Sequence, residues 1–223
     1  TTSDNQWATA ANWDSGSVPS SYTDVSITAG QTIEAGNSTA ASANNIDIDS
    51  GGSLTIDQTS SVTVSDDFTN NGTVTLNSGG SLIVNGSSSG DIIYNRTLAT
   101  TNWYLVSSPV VGETYDDSYV TANGIASGTQ NTNSRGIAPY VTTDDSWDYM
   151  LAGETATFSA GTGYSVKRSS AGDVSFTGTL NVDNAGVDVV LSSTGNRFNL
   201  LGNPYTSHIA SATFLANEGA VSE

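Results

Sequence analysis

The chain has 223 residues, with 22 acidic side chains against five basic ones and no cysteine. Its net charge of −17 repels phosphate backbones and anionic membrane surfaces, and no apolar run reaches the roughly 20 residues of a membrane span, so nucleic-acid binding and membrane insertion are excluded. The absence of cysteine excludes disulfides, thiolate metal sites and cysteine nucleophiles.

The N-terminal segment, residues 7–19, carries Trp7 and Trp13 among turn-forming residues. A repeat array needs a cover over its open end, and packed aromatic side chains can provide it. We therefore predict an aromatic cap here. The alternative is a pair of exposed platforms on which sugar rings stack.

A repeat with a period of 20 residues follows this segment. The apolar–polar–apolar triplets at residues 54–56 and 62–64 return 20 positions later at residues 74–76 and 82–84. Glycine or asparagine precedes most of the triplets, as expected at corners where a tight turn needs a positive φ angle. Because alternation directs one face of each triplet inward, we predict that the triplets stack as successive coils around one interior.

The repeat also includes the residues before these triplets. Ile46 and Ile48 lie 21 positions after Val25 and Ile27, and we expect Ile48 to align with Phe68, 20 positions further on. The predicted fold of this region is a short right-handed parallel β-helix, or β-solenoid. An antiparallel meander with the same spacing is the alternative.

The repeat stops near residue 97, where aromatic residues become denser. We therefore predict an all-β chain of two domains: a β-solenoid with its aromatic cap in residues 1–97, and an antiparallel β-sandwich-like domain, truncated at its C-terminus, in residues 98–223. Residues 110–140 are predicted to form a long surface loop. Short strands are predicted at residues 103–106, 163–167, 174–180, 187–191 and 198–201.

Two sets of motifs resemble known families. The pattern W-x-x-x-x-x-W-x-x-G-x-V-P in residues 7–19, followed by D-V-x-I, is similar to the start of β-helical segments in large secreted bacterial adhesins. Residues 103–109, 161–164 and 198–205 resemble a domain near the C-terminal end of surface proteins exported by the type IX secretion system. The resemblance implies a secreted or cell-surface bacterial protein and no activity. Since the sorting domain of that family is not recognisable here, we expect a trimmed or processed form.

The densest group of candidate ligand-binding residues lies at residues 144–149. Acidic side chains beside aromatic rings suit a sugar, because rings stack on its apolar faces while carboxylates accept hydrogen bonds from its hydroxyl groups. We predict a ligand-binding site formed by Trp103, Trp147, Tyr149 and Asp145. The alternative is a polar turn followed by a strand whose Trp147 and Tyr149 point into the core.

Calcium is the metal that best suits this composition. Asp144, Asp145 and Asp148 offer the hard oxygen ligands that Ca²⁺ prefers, although their spacing is not that of an EF-hand loop. We expect no required cofactor and keep Ca²⁺ as an open candidate at these three residues.

Catalysis has little support in the sequence. His208 is the only histidine, so a zinc site with the usual ligand count cannot be built without cysteine. A polysaccharide lyase would need basic residues, for which Arg96, Lys167 and Arg168 are the candidates. We predict that the protein is not an enzyme.

These patterns predict a non-catalytic structural or adhesion segment of a large secreted or cell-surface bacterial protein. Its expected partners are surface glycans or other cell-surface proteins, and the solenoid would serve as a rigid spacer. The alternative is a carbohydrate-binding module attached to a polysaccharide-degrading enzyme.

Overall fold

Three coils of a β-solenoid form the first half of the fold. The computed structural model describes residues 4–182 and 186–217. A 3₁₀ helix at Ala10–Asn12 precedes the coils, and each coil contains three short strands. The first coil contains β1 (Val25–Ile27), β2 (Thr32–Ala35) and β3 (Ala40–Ala43); the second contains β4 (Ile46–Ile48), β5 (Ser53–Ile56) and β6 (Ser61–Val64); the third contains β7 (Phe68–Asn70), β8 (Thr73–Leu76) and β9 (Ser81–Val84).

The coils stack in parallel, so that each strand pairs with the corresponding strand of the next coil. Leu54 of β5 pairs with Val74 of β8, and Val62 of β6 pairs with Leu82 of β9. All four side chains are buried, because alternate residues of every strand face one shared interior. The predicted β-solenoid is confirmed, and the meander alternative is wrong.

The third coil departs from the predicted alignment. Phe68 of β7 pairs with Ile46, so the expected alignment with Ile48 is wrong. The corner before β7 is longer than the corner before β4, and the corner after it, residues 71–72, is shorter than the corner after β4. Ile48 therefore meets Asn70 instead. A repeat period averaged over a coil does not determine the register of each strand.

The N-terminal segment covers the free edge of β2. The backbone N–H of Trp7 donates to the Glu34 carbonyl at 2.8 Å, and Gln6 forms a parallel bridge with Glu34. The Trp7 side chain is fully buried, and its ring meets that of Trp13 edge-on with centroids 5.0 Å apart. Trp13 Nε1 donates to the Trp7 carbonyl at 2.8 Å. Buried in this way, the Trp7 ring is inaccessible to a sugar.

Antiparallel sheets form most of the second half. One six-stranded sheet includes strands of both halves; its order is β13 (Val110–Val111), β19 (Gly172–Leu180), β11 (Asp91–Leu98), β8, β5 and β2. The halves join because β11 pairs in parallel with β8 and antiparallel with β19. The boundary predicted at residue 97 lies within β11. The all-β fold class is confirmed. After the third coil the elements are β10 (Ser88–Ser89), β11 (Asp91–Leu98), β12 (Tyr104–Val106), β13 (Val110–Val111), β14 (Thr114–Tyr115), α1 (Asp117–Ala122), β15 (Ile137–Val141), β16 (Ser146–Trp147), β17 (Ala156–Thr157), β18 (Tyr164–Val166), β19 (Gly172–Leu180) and α2 (Ser211–Asn217).

Two predictions about the second half are wrong. Residues 110–140 are not one long loop, since they contain β13, β14, α1 and the start of β15. No strand forms at residues 187–191 or 198–201, where the described chain makes a single bridge at Leu201. Neither α-helix of the described residues has the length and apolar character needed to cross a membrane.

The C-terminal segment lies against the free edge of β9. The Thr206 hydroxyl donates to the Leu82 carbonyl at 2.5 Å, and the Ser107 hydroxyl donates to the Asn203 carbonyl at 2.9 Å. Pro204 and Thr206 are buried there. Chain segments from outside the repeat therefore pack on both ends of the solenoid, which protects strand edges from pairing with other chains.

A row of polar side chains crosses the coils at the C-terminal ends of β2, β5 and β8. Asn77 Nδ2 donates to the Asp57 carboxylate at 2.6 Å. The hydrogen bond between the Asp57 and Glu34 carboxyl groups raises the pKa of Glu34, with burial and the Asp57 charge adding to it and a hydrogen bond from Gln6 opposing it. When both carboxyl groups ionise, they repel each other.

Replacing Glu34 with glutamine should raise the midpoint of thermal unfolding at about pH 7 and change it little at about pH 4. Because the pKa of Glu34 is raised in the folded state, the stabilisation from its proton is complete below the unfolded-state pKa and is lost as the pH rises through the folded-state pKa. Glutamine keeps a donor toward Asp57 at every pH. Thermal unfolding followed by circular dichroism at both pH values measures the difference.

The matched control is Asp47→Asn, which removes one carboxylate from an exposed position of β4. Its gain at neutral pH reports the general benefit of lowering the net negative charge. Equal gains for Glu34→Gln and Asp47→Asn would mean that the contact between Glu34 and Asp57 contributes nothing specific.

Candidate functional site

An open groove of about 300 Å³ lies on the sheet ordered β12-β18-β15-β16. Trp103 directly precedes β12 at one edge of this sheet, and Trp147 ends β16 at the other edge. The order of the strands therefore brings together residues that are far apart in the sequence. We call this feature the aromatic groove; it is lined by Trp103, Tyr104, Leu105, Trp147, Tyr149 and Ser165.

The rings of the aromatic groove are inclined to one another. The centroids of Trp103 and Tyr149 lie 5.7 Å apart, with 58° between the ring planes. Trp147 meets Tyr140 edge-on, with centroids 5.3 Å apart. The Lys167 ammonium lies over the Trp103 ring, 5.7 Å from its centroid. This arrangement forms a shallow trough with apolar walls and leaves ring surface open to solvent.

The structure places three of the four predicted ligand-binding residues in one groove. The side chain of Trp103 is 46% exposed, and those of Trp147 and Tyr149 are each 36% exposed. The alternative in which Trp147 and Tyr149 point into the core is therefore wrong. That these three residues bind a ligand stays a prediction.

The fourth predicted residue, Asp145, does not line the groove. Its carboxylate accepts a hydrogen bond from the Tyr140 hydroxyl at 2.6 Å and another from the Asn196 amide at 2.6 Å. The bond to Asp145 is the main reason why the pKa of Tyr140 is raised. Since Tyr140 packs against Trp147, Asp145 is linked to the groove only through Tyr140.

The predicted calcium ligands do not form a cluster. Asp144, Asp145 and Asp148 are all exposed, and Asp145 is engaged by Tyr140 and Asn196. Within residues 4–182 and 186–217, no three acidic or histidine side chains are grouped so that they could hold a metal ion. A Ca²⁺ site at these residues therefore stays an untested prediction without geometric support.

A second depression, of about 280 Å³, adjoins the aromatic groove, because Tyr149 lines both. Its polar lining includes the carboxylates of Asp148 and Glu154, and Glu154 accepts a hydrogen bond from the Leu151 N–H at 2.7 Å. Burial raises the pKa of Tyr115 to about 12, and Tyr164 and the charges of Asp148 and Glu154 add to the rise. We call this feature the acidic depression; it is lined by Tyr115, Pro139, Asp148, Tyr149, Met150, Glu154, Thr155 and Ala156.

Several lining residues were not predicted from the sequence. Leu105 could have been found, because it lies two positions after Trp103 in a predicted strand and strand residues of equal parity share a face. Ser165 could not, since it enters the groove through the pairing of β12 with β18, which sets it opposite Leu105. Glu154 lacked any motif and reaches the acidic depression only through the fold.

The basic residues considered for a polysaccharide lyase do not line the aromatic groove or the acidic depression. Arg168 donates from Nε to the Asn123 carbonyl at 2.7 Å and so fixes the end of α1. Lys167 lies over Trp103, while Arg96 is exposed on β11 and His208 is exposed near α2.

Comparison with known proteins identifies one family. A family model described as "Domain of unknown function (DUF8693)" matches residues 1–223. Searches of curated proteins and of solved structures returned no significant match.

Proposed function

The chain belongs to the family Domain of unknown function (DUF8693), and we propose that it is a non-catalytic structural and adhesion segment of a larger secreted or cell-surface protein. In this proposal the solenoid is a stiff spacer and the aromatic groove is the contact surface for a glycan. The exposed aromatic groove is the observation that carries the proposal.

The stacked coils support the spacer role. Neighbouring coils pair strand to strand in parallel, so each coil adds about 4.8 Å along the axis. A fully buried apolar interior runs through all three coils, and close packing of this kind resists bending and compression. Because each coil contacts only its neighbours, further coils could lengthen such a spacer without changing its width.

The aromatic groove supports the glycan contact. A contiguous patch of exposed apolar side chains often marks a contact with a partner, and Trp103, Trp147 and Tyr149 are grouped in one groove. The inclined faces of Trp103 and Tyr149 can stack on the apolar C–H faces of two sugar rings. The high negative charge of the chain disfavours polyanionic partners.

A glycan array probed with the wild-type protein should give saturable binding that is lost in Trp147→Ala. Removing a central aromatic anchor should weaken binding by roughly 30-fold or more, the equivalent of about 2 kcal/mol. Repeating the array with Ca²⁺ and with a chelator tests whether a metal contributes.

The control for this experiment is Tyr22→Ala, which removes an aromatic side chain that is 93% exposed and lies outside the groove. It should bind like the wild type. Glycan binding that survives Trp147→Ala at full strength would contradict the proposed contact surface, and so would an array without any bound glycan.

The aromatic groove also favours a second candidate, a carbohydrate-binding module attached to a polysaccharide-degrading enzyme. The two candidates differ in the parent protein: a neighbouring catalytic domain would favour the second, and additional coils would favour the first. Release of soluble sugars by this chain alone would contradict both.

A further inference from the structure

The two depressions that meet at Tyr149 differ in chemistry. The aromatic groove offers ring faces, whereas the acidic depression adds the carboxylates of Asp148 and Glu154. Each volume alone lies near the lower limit of ordinary ligand sites. Because Tyr149 lines both depressions, an oligosaccharide that stacks along the aromatic groove would extend its neighbouring sugar residue into the acidic depression.

The carboxylates of the acidic depression lack a cationic partner. The only ion pair among the described residues joins Arg135 and Asp117, 3.6 Å apart, and no basic side chain lines the depression. The bond from the Leu151 N–H holds Glu154 in place without neutralising its charge. Two carboxylates beside exposed aromatic rings are complementary to a ligand that combines an apolar face with a cation.

We propose that the aromatic groove and the acidic depression together bind an oligosaccharide whose sugars carry free, protonated amino groups. This inference rests on the proposed glycan contact and names its substrate class. The ring faces stack on Trp103, Trp147 and Tyr149, and an ammonium group donates charge-assisted hydrogen bonds to Asp148 and Glu154. An N-acetylated sugar keeps the stacking and loses the charge, while a uronic acid is repelled by the same carboxylates.

The test compares a glucosamine oligosaccharide with its fully N-acetylated counterpart of the same length. Binding of each to the intact protein is measured by calorimetric titration at about pH 6. At this pH aliphatic amines are protonated and carboxyl groups are ionised. The free amino form should bind about tenfold more tightly, the effect of a hydrogen bond to a charged group. This preference should shrink as salt is added, because screening weakens exposed charge pairs.

Asp148→Asn and Glu154→Gln should each reduce the preference while binding of the N-acetylated form stays as in the wild type. The matched control is Asp144→Asn, which removes an exposed carboxylate of the same hairpin that does not line the depression. Thermal unfolding midpoints equal to that of the wild type verify that the variants are folded.

Each outcome is decisive for one of the two proposals. Equal affinity for both oligosaccharides, or a preference that persists in the double variant Asp148→Asn/Glu154→Gln, overturns the amine selectivity and leaves the glycan contact standing. Binding of a lysine oligopeptide at least as tight as that of the glucosamine oligosaccharide overturns the sugar as the occupant. If neither saccharide binds while the glycan array finds another ligand, the inference alone fails.

Discussion

Replacing Trp7 with alanine should lower the free energy of unfolding by about 3–5 kcal/mol, the usual cost of removing a large buried aromatic side chain. Trp7 is fully buried and packs against Trp13 at the end of the solenoid where β2 has no preceding coil. Its loss would open a cavity over the first coil and loosen the backbone pairing with Glu34. Urea unfolding followed by far-ultraviolet circular dichroism measures the change.

Two further variants separate packing from other effects of this substitution. Trp7→Phe keeps an aromatic ring and removes an indole N–H that has no hydrogen-bond partner among the described residues, so it should cost clearly less than alanine. Tyr22→Ala removes a ring that is 93% exposed and should change stability by no more than about 0.5 kcal/mol. If Trp7→Ala and Tyr22→Ala unfold at the same urea concentration, the N-terminal segment does not stabilise the solenoid.

The coils could be predicted where their side chains are large. Leu54, Val62, Val74 and Leu82 stand out as apolar residues at alternating positions, and the structure pairs them as expected. The strand β3 was not recognised, because its inward residues are alanines, which carry little hydrophobic signal. Small residues face the same interior at β3, so the coil is regular there although its sequence pattern is weak.

Elements that depend on tertiary contacts were not predictable. The helix α1 has only six residues and is preceded by its N-cap residue Asp116, whose carboxylate accepts from the Tyr119 N–H at 2.8 Å. So short a helix is held by packing, and its own pattern is too brief to detect. Residues 187–191 are rich in the β-branched residues typical of a strand, yet within the described chain they pair with no strand. Such a segment becomes a strand only where a sheet edge can accept it.

The candidate site follows the same rule. Trp103, Trp147 and Tyr149 could be selected from the sequence by residue type, and Trp147 and Tyr149 also because they lie in the acidic segment 144–149. Their grouping depends on the order of four strands, as does the position of Glu154 beside Tyr149. Residue type therefore indicated which side chains could bind a ligand, and topology determined which of them lie together.

Gly90 occupies the point where the chain leaves the solenoid, between β10 and β11. Its φ angle is +84°, a conformation that costs an alanine about 1–2 kcal/mol. An ideal Cβ on Gly90 would also overlap the backbone carbonyl oxygen of Asn70, which the parallel pairing of β7 with β10 holds in place. Asn70 Nδ2 donates to the Asp91 carbonyl at 2.6 Å and fixes the same corner from the other side.

Gly90→Ala should therefore destabilise the protein by the backbone strain plus a further 1–3 kcal/mol or more, the approximate cost of forcing extra atoms into a packed site. Gly112→Ala is the matched control, because its φ angle of +97° is similar and the space around its Cβ is open. It should show the backbone strain alone. Urea unfolding of the two variants measures the cost of the overlap with Asn70 as the difference between their losses of stability. Equal losses would mean that the corner at Gly90 can shift without loss of stability. In that case β11 is not held against the third coil as described.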